Sequence, residues 1–337
     1  MCIFYAINTY PEYIVVISEA LAMVVECQPK ENYLNNSTPT KSVLSGFFFA
    51  VLATIFWSGN FVIARGLSDV ITPVSLAFFR WTVALLVFFP FAYRKVIADI
   101  DVIKKHIPYL LITSITGISF FNILIYLAGR TTTAVNISMI SITTPVFIVI
   151  ISALFLKEKT SPGKVIGVIL VFTGALFLIT KGALSSLLSL TFTVGDFWVL
   201  LAAIMFAVYS ILAKFRPKEL NLLSFQLCTI FIGLIFMFPL FIIERGMNPP
   251  IQFSRSIIFS IFYVGIFASL AAFLLWNKAI SIIGPVKTGM VYYLLPVFSS
   301  ILALIFLGEE IYYYHYFSMI IIVLGIFIAN HEKRTAE

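Results

Sequence analysis

From Val43 onward the apolar residues come in runs of about twenty, separated by short polar stretches, and they surround each run instead of forming the one-sided stripe of a helix that faces water. Runs of that length match the hydrocarbon thickness of a bilayer. Ten are read, at approximately 44–64, 73–92, 107–128, 135–156, 164–180, 195–214, 222–243, 256–277, 287–307 and 314–330. A spanning segment must satisfy its own backbone, so each run is a helix. The pattern predicts an all-α integral membrane protein of ten transmembrane helices. Residues 1–42 differ: "PKENYLNNSTPTK" is polar, and "YIVVISEALAMVV" before it is too short to span and is interrupted by Glu19. They read as an interfacial or poorly ordered extension without the basic start and small-residue cleavage site of a signal peptide, and Met23 is an alternative start. Residues 331–337 form a polar tail.

The chain also repeats itself. "TPVFIVIISALFLKEK" begins at Thr144 and "LPVFSSILALIFLGEE" at Leu295, and Pro145 with Pro296, Glu158 with Glu309, and Gly174 with Gly325 all keep one offset, 296 − 145 = 151. Gly46 pairs with Gly195 and Phe89-Pro90 with Phe238-Pro239 at 149. Two units follow, 43–181 and 194–330, with five helices in each. Placing the N-terminus in the cytoplasm puts sixteen Lys and Arg residues on the inside. Only Arg65, Arg130, Lys181, Arg245 and Arg255 are left outside, which orients both termini inward. A unit of five helices ends on the face opposite to its start, so the second copy is inverted. Inverted repeats with a site at their interface, near the midplane, are the architecture of secondary transporters.

Composition agrees: 61% of residues are apolar and 11% charged. The net charge of +7 is spread over short loops and forms no patch for nucleic acid, so it acts as a topology signal. Cys2, Cys27 and Cys228 have neither metal spacing nor the pattern of a disulfide framework. No metal or cofactor is expected, and a Walker-type phosphate loop is absent from the sequence.

"FWSGNFVIAR", "ITPVSLAFFRWTVALL", the two proline-to-glutamate phrases and "WNKAISIIGPVKTGMVYYLLPVFSSILALIFLGEEI" together resemble the EamA family of the drug/metabolite transporter superfamily, over roughly residues 43 to 330. The resemblance implies a ten-helix exporter or permease of small metabolites, often amino acids or related compounds. The second copy departs from the first in having Thr229 where the first has Arg80, and "GEE" where the first has "KEK".

Arg80 lies roughly 10 Å below the end of its span at 1.5 Å per residue. A charge at that depth costs on the order of 2.5 kcal/mol, so it should face the bundle interior or a wet cavity, as an anchor for an anionic group, with a clamp on helix-end carbonyls or a snorkelling side chain as the structural alternative. Asn60, Asn122 and Asn136 need partners away from lipid, supplied by other helices or by substrate. Across the repeat, Asn60 corresponds to Tyr209 and Asn136 to Lys287, so the two halves are expected to supply opposite ends of one pathway. Trp57, Tyr126, Trp276 and Tyr292 are aromatic candidates for a pocket, with lipid-facing packing as the alternative, and Tyr126 corresponds to Trp276. Pro145 and Pro296, placed inside the fourth and ninth spans, are read as kinks or hinges, and Glu158 and Glu309 at the ends of those spans as structural or gating groups. No Asp or Glu falls mid-span, which leaves proton coupling without an obvious carrier.

The sequence therefore predicts alternating-access transport of small polar metabolites across a bacterial inner membrane, with export of amino acids favoured by the resemblance. Uptake or exchange of a phosphorylated or nucleotide-type metabolite is the alternative, with Arg80 and Lys287 as its anion contacts. A membrane-embedded enzyme would need a nucleophile, metal cluster or acid–base pair at the membrane surface, and the short loops offer none. The partners expected are a small-molecule metabolite and membrane lipid; oligomeric state is not encoded legibly.

Overall fold

The computed structural model describes residues 39–67, 70–131, 137, 140–155, 162–180, 182–183, 193–295, 297–298 and 313–330. Its elements are α1 (Pro39–Leu67), α2 (Pro73–Ala98), the short α3 (Ile100–Lys105), α4 (Ile107–Ala128), α5 (Thr144–Phe155), α6 (Pro162–Ile179), α7 (Val194–Lys214), α8 (Leu222–Met247), α9 (Arg255–Tyr292) and α10 (Tyr313–Asn330). Six of these, α1, α2, α4, α7, α8 and α9, are long and apolar enough to cross a membrane, while α5, α6 and α10 are shorter apolar helices. There is no strand among the described residues.

Helix starts follow local chemistry. Pro73 opens α2, where its missing N–H costs nothing. Thr193 and Asp196 form a reciprocal capping box at α7, and the side chains of Asn221 and Ser254 accept from the Leu223 and Ile257 amides to start α8 and α9. α4 has the bounds expected of the third span. α1 and α2 run further than expected, beginning at Pro39 and ending at Ala98, because a helix continues past the hydrocarbon into polar residues such as Arg94 and Lys95. The linker expected over 278–286 is almost absent. α9 stays helical up to Gly284, whose φ of 81° breaks it, and Pro285 starts the next helical stretch.

Pro145 is not in the middle of a helix. A turn at Ile142 and Thr143 ends the preceding segment, and Pro145 sits in the first turn of α5, so the expected kink is a break between helices. Pro90 in α2 and Pro239 in α8 do lie in helix interiors, at matching positions of the two halves.

Two π-helical stretches also match: Ile115–Phe120 in α4 and Val264–Ala271 in α9. Packing crosses between the halves, with α1 against α9, α7 against α4, α2 against α8, and α6 against α10. Lipid supplies no hydrophobic drive between helices, so these contacts depend on close fit and polar bonds. Gly174 and Gly325 provide the fit between α6 and α10. A Cβ on Gly325 would lie 2.8 Å from the Gly167 carbonyl oxygen, and one on Gly174 3.0 Å from Ile321. Leu154, Phe91 and Phe259, on the outside, are at least 70% exposed, as lipid-facing residues should be.

α2 and α8 are also tied at both ends by acids. The Glu244 carboxylate, near the end of α8, accepts from the Val74 and Ser75 amides at 3.0 and 2.7 Å and from the Thr72 and Ser75 hydroxyls at 2.6 and 2.8 Å, which caps the positive end of α2. At the other end, Asp99 just beyond α2 accepts from the Asn221 amide at 2.9 Å, at the start of α8.

Candidate functional site: two polar clusters about an aromatic centre

The middle of the bundle is aromatic. Trp57 of α1 contacts Phe206 of α7 at 5.3 Å between ring centroids and Phe273, Trp276 and Tyr292 of α9 at 5.6, 5.1 and 5.9 Å. The approach to Phe206 is edge-to-face at 85°, which aromatic quadrupoles favour. Trp57 and Phe206 occupy matching positions of the two halves (206 − 57 = 149), so the pair joins them at their centre. The Trp57 indole N–H donates to the Ala268 carbonyl at 2.9 Å, a group within the second π stretch.

On one side of this centre lies Arg80, only 3% exposed. Its Nε donates to Ser269 Oγ of α9 and its Nη1 to Tyr126 OH of α4, both at 2.6 Å. The Tyr126 hydroxyl in turn donates to Asn60 Oδ1 of α1 at 3.4 Å. The guanidinium also lies 5.8 Å from the Tyr126 ring centroid, within cation–π range. Four helices thus converge on one cation. Among the described residues none of its hydrogen-bond partners is a carboxylate. Ser269 can reach Arg80 because the π stretch turns its backbone, and its hydroxyl also donates to the Val264 carbonyl five residues back.

A neutral cluster lies on the other side. Tyr209 OH donates to Asn277 Oδ1 at 2.9 Å, Asn277 Nδ2 reaches Gln226 Oε1 at 2.8 Å, and the Trp276 indole donates to Ser210 Oγ at 3.1 Å. The Gln226 Nε2 is buried with no hydrogen-bond partner among the described residues.

The same family model matches the chain twice, over residues 44–180 and 193–331, and is that of the EamA-like transporter family. The chain belongs to the EamA-like transporter family. It is 27% identical to an "Uncharacterized transporter" of Archaeoglobus fulgidus over 290 residues, covering 84% of this chain and 96% of that protein. The "Uncharacterized transporter YyaM" of Bacillus subtilis is 25% identical over 281 residues, covering 82% and 90%. A solved crystal structure superposes with a TM-score of 0.67 at 17% identity, over 87% of this chain and 97% of that one, and shares the fold.

Of the residues singled out by sequence in this EamA-like chain, Trp57, Asn60, Arg80, Tyr126, Tyr209, Trp276 and Tyr292 are all buried in the bundle centre. Asn122 is buried too, but its amide donates to carbonyls of its own helix, at 2.8 Å to Ile118. Lys287 is exposed on α9 beyond Gly284, unlike the buried Arg80. Asn136, Pro296, Glu158 and Glu309 lie outside the described residues. Sequence reasoning missed Ser269, Asn277 and Gln226. Asn277 and Gln226 carried the same signal as Asn60, an amide within an apolar run, and Ser269 carried none until the π stretch placed it.

Proposed function

We propose that this protein is a secondary transporter of small polar metabolites bearing an anionic group, working by alternating access between two inverted halves. The reading takes ten spans, both termini in the cytoplasm and residence in a bacterial inner membrane, supported by the twofold family match and the distribution of Lys and Arg. The observation that carries it is Arg80, a buried guanidinium with hydroxyl and amide neighbours and no carboxylate among its described partners. A cation kept in an apolar bundle with no counter-ion among the described residues is well placed to take one from a substrate, and its planar fork suits a carboxylate.

Trp57, Trp276 and Tyr292 give the apolar body of a ligand a surface to pack on, while Tyr209, Asn277 and Gln226 offer neutral hydrogen bonds to its other end. A carboxylate at one end, a neutral or donor group at the other and a small body between them describe amino acids and their relatives, and their export is the favoured activity. The test combines ligand-dependent thermal stabilisation over amino acids, nucleosides and phosphorylated sugars with flux in liposomes. Amino acids are expected to stabilise the wild type, and Arg80→Ala is expected to abolish flux of the anionic substrate while leaving much of the flux of a neutral analogue. Stabilisation confined to phosphorylated compounds would overturn the amino-acid reading, and equal loss of both fluxes at unchanged protein level would overturn the role of Arg80.

A further inference from the structure

A cleft lies away from the bundle centre, where α2, the end of α8 and the segment leading into α9 meet. Its volume is about 470 Å³, and Phe79, Phe241, Ile251 and Phe253 line it together with Arg245 and Asn248. The aromatic wall is continuous: Phe79 meets Phe241 at 5.5 Å and Phe253 at 5.7 Å between centroids, both edge-to-face.

The depth of this cleft follows from helix length. α8 has 26 residues, so at 1.5 Å each it exceeds a hydrocarbon core of about 30 Å, and its last turn reaches the headgroup region. Arg245 stands in that turn. The side chains beside it, Ile242, Ile243, Met247 and Phe253, are all more than half exposed, as surfaces against acyl chains would be.

Arg245 is partly committed. Its Nη2 donates to the carbonyls of Asn248, at 3.1 Å, and Pro249, but its Nη1 is buried with no hydrogen-bond partner among the described residues. The neighbouring acid cannot serve it, because the Glu244 oxygens are taken up by the start of α2. The cleft therefore combines a cation with an unmet donor, apolar aromatic walls and a position at headgroup level, and no acid is among the described residues that line it.

We propose that this cleft binds an anionic phospholipid of the surrounding leaflet, with its phosphate on Arg245 and the first part of an acyl chain along Phe79, Phe241 and Phe253. A guanidinium matches phosphate oxygens in geometry as well as in charge. A zwitterionic headgroup fits less well, since its ammonium would find no carboxylate among the described residues lining the cleft. The site is independent of the transport reading, and its test needs no flux.

The test uses the purified full chain in neutral detergent, with thermal unfolding followed against phosphatidylglycerol, phosphatidylcholine of the same acyl chains, and inorganic phosphate. Phosphatidylglycerol is expected to stabilise at concentrations where phosphatidylcholine and phosphate do not. Arg245→Gln should weaken that preference about tenfold, the loss of one charge-assisted contact. Because Arg245 also ties down the end of α8, a second variant, Phe253→Glu, places an anion in the cleft while leaving those carbonyl bonds intact, and it should remove the preference as well. Equal stabilisation by the two lipids, a preference that survives both variants, or an equal effect of inorganic phosphate would each overturn the proposal, the last by identifying a soluble anion as the occupant.

Discussion

The Arg80 cluster and the Tyr209 cluster flank the same aromatic centre from opposite halves, yet one holds a charge and the other only neutral groups. Asn60 and Tyr209 correspond by position, as do Tyr126 and Trp276, and each has kept a polar bond while changing its chemistry. Arg80 has no counterpart, since Thr229 stands in its place with its hydroxyl on the Gln226 carbonyl of its own helix. Duplication thus supplied a symmetric frame, and substitution within it made the two ends of the centre chemically different.

Moving the charge is the strongest way to break that contrast. The double variant Arg80→Thr with Thr229→Arg keeps the net charge but places the guanidinium in the other half. Uptake of an anionic substrate into proteoliposomes is expected to fall about a hundredfold, the scale of losing charge-assisted hydrogen bonds in a buried site. Near-normal flux would mean that the halves are interchangeable and the asymmetry idle.

The end caps offer a second contrast. Glu244 takes four hydrogen bonds and Asp99 one backbone amide, so Glu244→Ala should cost about 2 kcal/mol and Asp99→Ala about 0.5 kcal/mol, read as the order of their thermal midpoints. Equal shifts would show that the two ends carry similar loads. The paired glycines of α6 and α10 differ in the same way. Gly325→Ala meets the Gly167 carbonyl and the Val171 amide, which cannot give, and should cost about 1–3 kcal/mol, whereas Gly174→Ala meets the side chains of Ile321 and Ile322 and should cost less. The smallest effect is expected from Tyr209→Phe. It deletes one hydroxyl from the neutral cluster, and an interhelical hydrogen bond in a membrane averages about 0.6 kcal/mol, so flux should change only two- to threefold. A larger loss would give the neutral cluster a direct hold on substrate.

What was legible in the sequence follows from which forces act one residue at a time. Lipid demands continuous apolar runs, so the position of α4 could be read to the residue. A lone arginine or amide in such a run must turn inward, and Arg80, Asn60 and Asn122 did. Glu244 escaped notice because it stands where the apolar run ends, and its value lies in amides of α2 that are 169 and 170 residues away in sequence. Ser269 escaped because hydroxyls are tolerated anywhere in a membrane helix. The break at Gly284 was hidden by helical residues on both sides of it, so a linker was read where one residue suffices.

The π stretches carry a consequence of their own. Relative to an α-helix, such a stretch holds one additional residue without a matching advance, and one residue is worth about 100° of rotation about the axis. Tyr126 follows the first stretch and Trp276 the second. Their orientation toward the bundle axis is therefore set by a counting irregularity upstream, repeated in both halves. Converting either stretch to a regular α-helix with all its residues kept would leave the composition and hydropathy of the span unchanged and swing everything beyond it by about a quarter turn.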